Sequence, residues 1–215
     1  MADDKSRSGV EFYADKKILD YLATLHAPHD QGLAAAFDAP GVPRIMVGPS
    51  EGKLLTLLVR LANAKIVVEV GTLAGYSAIR MAAGLRPGGR VYSIEYEQKH
   101  ADLARAAIER AGMSDRIEVI VGAALEVLPK LDALGPVDVV FIDADKGNYD
   151  RYGEWAERAL RPGGLLLGDN AFYFGRLLED SAEAKAMRRF HERATLAFDT
   201  VCVPTPDGLL VGIKR

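Results

Sequence analysis

The chain has 215 residues, 49% of them hydrophobic and 27% charged, with a formal net charge of −3. This length suits one domain with a full core, and the slightly acidic balance excludes the domain-wide basic surface of many nucleic-acid binders. Cys202 is the only cysteine, which excludes an intrachain disulfide and suits a reducing cytoplasm; its apolar neighbours predict a buried structural thiol.

Residues 1–9 are polar and charged, without the basic-then-apolar order of a signal peptide. No run approaches the roughly 18 apolar residues of a membrane span, so a soluble cytoplasmic protein is expected. Helices are predicted over residues 11–25, 31–37 and 49–61, the last with Ser50 as N-cap and Glu51 favourably placed in its first turn. Residues 1–64 would serve as a lid, a dimer surface or both, preceding an α/β core over residues 65–215 of the same domain.

In that core, β-branched runs at 66–70, 91–94, 117–121, 137–142 and 165–167 read as strands. Amphipathic stretches at 76–85, 97–111, 124–131, 149–160 and 183–194 read as helices between and after them. The runs 197–203 and 209–213 flank a short Pro- and Gly-containing link and suit a hairpin. Such alternation calls for a mostly parallel sheet with helices on both faces, closed by antiparallel strands. Ligands of such sheets bind beyond the carboxyl ends of the strands, where strand order reverses.

The first strand runs into Glu69-Val70-Gly71-Thr72-Leu73-Ala74-Gly75-Tyr76-Ser77. The glycine spacing is G-x-x-x-G, not the G-x-G-x-x-G of dinucleotide enzymes. A carboxylate two residues before the first glycine would repel a pyrophosphate and attract the ammonium of a methionine moiety. The pattern therefore points to S-adenosylmethionine. Glu95 ends the second strand, where a carboxylate can accept hydrogen bonds from both ribose hydroxyls; the competing fate is a solvated strand-end glutamate. The Ser77 hydroxyl either bonds its own helix backbone or reaches the ligand's carboxylate.

Asp143 follows the fourth strand, and Asp169 and Asn170 follow the fifth. All three are oxygen donors of the kind a hard divalent cation prefers, with positions left for water and substrate. Taken alone, Asp169 and Asn170 could instead open a loop or cap a helix. Lys146 is the candidate general base, against the alternative of a surface lysine paired with Asp145 or Asp150. His26, His29, His100 and His191 lack metal-ligand spacing and read as surface or core residues.

The segments 69–77, 141–146 and 169–170, together with Asp115-Arg116-Ile117 and residues 160–164 and 206–209, resemble the cation-dependent class I O-methyltransferases. The likeness is to the caffeoyl-CoA and catechol type, in its bacterial and plant form, and extends from Val47 to the C-terminus. It implies a Rossmann-like fold of seven strands, mostly parallel with the last antiparallel, and a homodimer. It implies magnesium on Asp143, Asp169 and Asn170, with Lys146 as base. It implies S-adenosylmethionine held by Val47, Glu69, Gly71, Thr72, Ser77, Glu95, the backbone around Ala123, and Asp143, which would serve cofactor and metal alike. The implied reaction is methyl transfer to a hydroxyl of a small catechol-like or hydroxycinnamoyl-type aromatic; in some relatives the acceptor is a hydroxylated uridine of transfer RNA. Relatives often carry an aliphatic pair and a tryptophan after the Asp-Asn, whereas this chain has Ala171-Phe172-Tyr173. Phe172 and Tyr173 are therefore expected to flank the acceptor ring.

Overall fold

The structure, a computed structural model, describes residues 15–215. Asp15 accepts a hydrogen bond from the Ile18 amide and so caps α1 (Lys16–His26). Residues 11–14 of the helix expected there, and the polar stretch 1–9, lie outside the described residues. Asp30 caps α2 (Gln31–Phe37) in the same way, through the Leu33 amide. The third helix, α3 (Pro49–Leu61), is capped by Gly48, and Pro49 takes the first helical position. Ser50, expected at the cap, lies inside the helix, because proline's fixed φ and missing N–H favour that first turn.

The alternating region follows as β1 (Ile66–Val70), α4 (Tyr76–Ala82), β2 (Arg90–Glu95), α5 (Gln98–Arg110), β3 (Ile117–Val121), α6 (Ala124–Leu131) and β4 (Val137–Ile142). It continues through α7 (Tyr149–Ala159), β5 (Leu160–Gly168), α8 (Ala182–Ala197), β6 (Phe198–Val203) and β7 (Leu209–Lys214). The seven strands form one sheet in the order β3-β2-β1-β4-β5-β7-β6. The first five are parallel, and β7 runs antiparallel to both β5 and β6. β5 begins earlier than its apolar run. Leu160 already pairs with Val137, and the turn at 161–164 bulges out before Leu165 rejoins opposite Val139.

Alternation along the strands divides the core between two faces. Val67, Val139, Phe141 and Leu167 pack with Leu55 and Val59 of α3, Ile79 of α4 and Ile108 of α5. Val68, Val140, Ile142 and Leu166 pack with Leu128 of α6, Trp155 of α7 and Phe190 of α8. Cys202 is partly exposed rather than buried, because β6 is an edge strand covered on fewer sides. Among the described residues no helix is long and apolar enough to cross a membrane.

At the amino ends of the strands, Asp138 joins three elements. Its Oδ2 accepts the amides of Lys65 and Ile66 at 2.7 and 2.9 Å, and its Oδ1 accepts Arg161 Nε at 2.6 Å. Arg161 also donates to the carbonyl of Ala62. Burial works to raise the Asp138 pKa, but the Arg161 bond and the two amides outweigh it and hold the group below its usual range. A carboxylate depressed in this way stabilises the fold above its unfolded pKa and loses that contribution as pH falls through the folded value. Asp138→Ala should lower the unfolding free energy by about 2 kcal/mol at neutral pH, the scale of a charge-assisted hydrogen bond. Urea unfolding at a series of pH values checks this; the gap from wild type should close as pH falls below about 3.9.

Candidate active site

The loops after β1 to β5, with the segment leading into α3, form a cavity of about 910 Å³. Strand order reverses between the neighbours β1 and β4, so the cavity opens where ligands of this sheet type bind. Val47, Gly71, Thr72, Ser77, Glu95, Ala123, Asp143, Lys146 and Asn170 all line it. Glu69 and Asp169, buried at 0% and 4% exposure, stand behind that lining.

Gly71 has a φ of +100°, and a Cβ there would lie 1.9 Å from the carbonyl oxygen of Asp143. No side chain fits. The crowding comes from the β4 loop, a cause that the sequence pattern alone does not reveal.

On the β1–β2 side, polar groups interlock. Glu95 is 7% exposed, which rules out a solvated strand end. Its Oε2 accepts the amides of Thr72 and Leu73 at 3.2 and 2.8 Å, and its Oε1 accepts that of Glu97 at 2.9 Å. Glu95 thus braces the glycine loop while facing the cavity, with lone-pair capacity left for a ligand hydroxyl. The Ser77 hydroxyl donates to Glu69 instead of to its own helix backbone, while Ser77 also lines the cavity. Ser93 donates to the other Glu69 oxygen at 2.5 Å, and the Thr72 hydroxyl pairs with Ser93. Burial pushes the Glu69 pKa up to about 8, against the lowering pull of the two serines. A buried carboxylate beside the cavity, with no cation in contact among the described residues, is the partner an ammonium group would complete. His100, expected only as a surface or core residue, also lines the cavity.

On the β4–β5 side, Lys146 is 12% exposed and its Nζ lies 3.3 Å from Asp143 Oδ1 and 2.8 Å from the Tyr149 hydroxyl. The surface pairings considered for it are taken by others: Asp145 bonds Tyr152 and Asn148, and Asp150 bonds Arg189. The Tyr149 hydroxyl donates toward the carbonyls of Ile142, which ends β4, and Asp169, which follows β5, and so ties the lysine to both strand ends. Burial raises the Asp143 pKa, with the Lys146 charge opposing it. Asp169 is pushed up to about 8, first by burial and then by the charges of Asp143 and Glu51. Asp169 also accepts the Asn170 amide at 2.6 Å, and Asn170 sits at φ 53°, so the pair has a local loop role as well.

Two carboxylates and an amide oxygen are hard donors that suit magnesium or calcium. Among the described residues no group of three or more His, Cys, Asp or Glu side chains is placed to hold a metal ion, so such a set depends on Asn170 as its third donor. The mutual repulsion of Asp143, Asp169 and Glu51 is what a cation would relieve.

Several residues here escaped the sequence reading. Glu51 is buried close to Asp169 and takes the Thr205 hydroxyl at 3.2 Å; its place in a first helical turn concealed that. Phe172 and Tyr173 do not line the cavity; Phe174 does. Tyr173 is 6% exposed within the core, and Phe172 packs over Gly208. The reason is backbone conformation: Tyr173 and Phe174 both adopt left-handed φ, near 50°, which reorders which of three consecutive rings faces outward.

A profile described as O-methyltransferase matches residues 30–214. A catechol O-methyltransferase from Niastella koreensis is 41% identical over 205 residues, covering 91% of this chain and 90% of that one. A catechol O-methyltransferase from Mycobacterium tuberculosis is 48% identical over 165 residues, covering 74% of each. Among solved structures, the O-methyltransferase from Bacillus cereus in complex with SAH matches at a TM-score of 0.85 and 36% identity, covering 91% of this chain and 96% of that one.

The raised pKa of Glu69 means that, in the ligand-free chain, stability is lost as pH rises from about 4.5 through about 8. Glu69→Gln removes that titration. Melting curves from pH 4.5 to pH 8 should therefore show the variant gaining on wild type as pH rises, by roughly 10 °C at the upper end. A gap independent of pH would mean that Glu69 ionises normally.

Proposed function

The chain belongs to the O-methyltransferase family, and from that premise we propose that it moves the methyl group of S-adenosylmethionine onto a hydroxyl of a catechol-like or hydroxycinnamoyl-type aromatic. One observation carries the acceptor half of this reading: Asp143, Lys146 and Asn170 share a single cavity with the Gly71–Ser77 loop. A methyl donor held by the loop and an oxygen nucleophile held by the β4–β5 groups would then meet within one cavity.

In this reading the cofactor's ammonium end lies toward Glu69, its ribose hydroxyls toward Glu95, and its remaining contacts come from Val47, Gly71, Thr72, Ser77, Asp143 and the backbone around Ala123. Asp143, Asp169 and Asn170 would hold a divalent cation, most simply magnesium, which when bound supplies a positive charge that favours ionisation of the acceptor hydroxyl. In its neutral amine form, Lys146 takes the proton from that hydroxyl. Tyr149 cannot relay it onward, because its own hydroxyl faces backbone carbonyls. The acceptor oxyanion attacks the sulfonium methyl in line, forming the O–C bond as the S–C bond breaks and leaving S-adenosylhomocysteine. Phe174, 62% exposed on the cavity wall, offers an apolar face for the acceptor ring. An ortho-dihydroxy arene suits the site because both of its oxygens can face the hard-donor set.

We also assign a homodimer. α1 buries none of its residues and leaves Ile18, Leu19, Tyr21, Leu22 and Leu25 exposed, while α3 exposes Leu57 and Leu61; a second copy would cover such a surface.

Transfer from labelled S-adenosylmethionine to a panel of catechols and hydroxycinnamoyl esters tests the acceptor, with and without chelator. Turnover of ortho-dihydroxy arenes should fall at least about 100-fold in chelator and return with magnesium; undiminished turnover in metal-free protein would sink the metal role. Sedimentation velocity should give a dimer mass at micromolar chain concentration, and a monomer would remove the dimer assignment.

A further inference from the structure

The hairpin turn between β6 and β7 grips the segment that follows Asp169. Asp207 and Gly208 receive three amides within four residues: Ala171 N donates to the Gly208 carbonyl at 2.9 Å, Phe172 N to the Asp207 carbonyl at 2.9 Å, and Phe174 N to Asp207 Oδ1 at 2.8 Å. Gly208 makes the approach possible, since a Cβ there would lie 2.7 Å from the Phe172 ring.

The gripped segment is strained. Asn170, Tyr173 and Phe174 have φ of 53°, 50° and 54°. Asparagine tolerates that region, whereas two consecutive aromatics do so only when their surroundings over-determine them. Local bonds help at most positions: Tyr173 N reaches the Asn170 carbonyl, Gly175 N that of Phe172, and Arg176 N that of Tyr173. The Phe174 amide is different, because its acceptor is the Asp207 side chain. Relaxing φ at Phe174 would swing its ring away from the cavity.

Asp207 is not behaving as an ordinary turn residue. A turn aspartate commonly bonds its own backbone two residues on, whereas the turn here is closed by Gly208 N to the Thr205 carbonyl at 3.1 Å. The Asp207 carboxylate reaches across to Phe174 instead, and its Oδ2 is buried without a hydrogen-bond partner among the described residues. A carboxylate with one oxygen left unsatisfied is costly, and the oxygen that does bond holds Phe174.

We infer that Asp207 is a positioning residue for acceptor recognition: it locks the left-handed turn at Phe174, so that the C-terminal hairpin sets the pose of the ring against which the acceptor packs. This rests on the proposed role of Phe174 as the acceptor wall. Asp207 touches neither cofactor nor acceptor in this account and acts on the acceptor through Phe174; its charge also bears on Asp143 and Glu51, and the asparagine variant below separates that charge from the hydrogen bond.

The test compares Asp207→Ala with Asp207→Asn, which drops the charge but keeps an oxygen for the Phe174 amide. Asp207→Ala should raise KM for an ortho-dihydroxy arene about tenfold while leaving S-adenosylmethionine affinity within about twofold. Asp207→Asn should stay near wild type. Phe174→Ala should match Asp207→Ala, and the double variant should be no worse than either single one. Hydrogen exchange of residues 171–175 in the S-adenosylhomocysteine complex gives a readout independent of turnover, with faster exchange in Asp207→Ala and wild-type exchange in Asp207→Asn. If Asn behaves as Ala does, the charge and not the hydrogen bond matters, and the inference falls. It falls equally if Asp207→Ala leaves KM and exchange unchanged. A wild-type protein that methylates no arene would instead fail the proposed function, while the exchange data would still decide whether Asp207 clamps the turn.

Discussion

The site depends on one steric contact, between the backbone of Gly71 at the end of β1 and the carbonyl of Asp143 at the end of β4. β1 and β4 are the parallel neighbours at which strand order reverses, so the chain leaves them in divergent directions and opens a crevice. The crevice can hold both the glycine loop and a cluster of oxygen donors only if the two loops start in van der Waals contact. The virtual Cβ distance of 1.9 Å leaves no room for any side chain at position 71. With glycine there, the Asp143 amide can still bond the Val70 carbonyl at 2.9 Å, and the two loops share a rigid floor.

Around that floor the molecule collects negative charge under low exposure. Glu69 lies on one side, and Asp143, Asp169 and Glu51 on the other; burial raises the pKa of each. Such groups weaken a folded protein unless a proton or a cation accompanies them. Elsewhere the chain follows the usual rule: Asp138 is paired with Arg161 and two amides. The contrast between the two ends of the same strands marks where binding has been favoured over stability. Apart from the Lys146 contact to Asp143, the carboxylates are braced by hydroxyls and amides, which hold geometry without cancelling charge.

The C-terminal hairpin supplies the third side. Thr205 reaches Glu51 on α3, and Asp207 and Gly208 hold the segment after β5. One short turn therefore spans the N-terminal helices, the donor cluster and the exposed ring of Phe174. The antiparallel strand β7 delivers it, because only a strand reversing beside β5 brings its starting residues to the carboxyl ends of the parallel strands.

By itself the sequence determined the layered fold and the chemistry at each strand end. Periodicity and Gly–Pro punctuation are local signals, and they locate β1 to β5, the closing hairpin, and the strand-end positions of Gly71, Glu95, Asp143, Asp169 and Asn170. Strand ends in such a sheet can converge only in one crevice, so their meeting was legible as well. Tertiary structure decided what depends on partners distant in the chain. Glu51 is buried near Asp169, because Thr205 of the closing hairpin reaches it from 154 residues away. Ser77 serves Glu69, because burial leaves that carboxylate in need of donors. Phe174 faces the cavity in place of Phe172 and Tyr173, because contacts with residues 207 and 208 force left-handed backbone there. Side-chain type and spacing are written locally; the direction a ring faces and the protonation of a carboxylate are set by neighbours that only folding supplies.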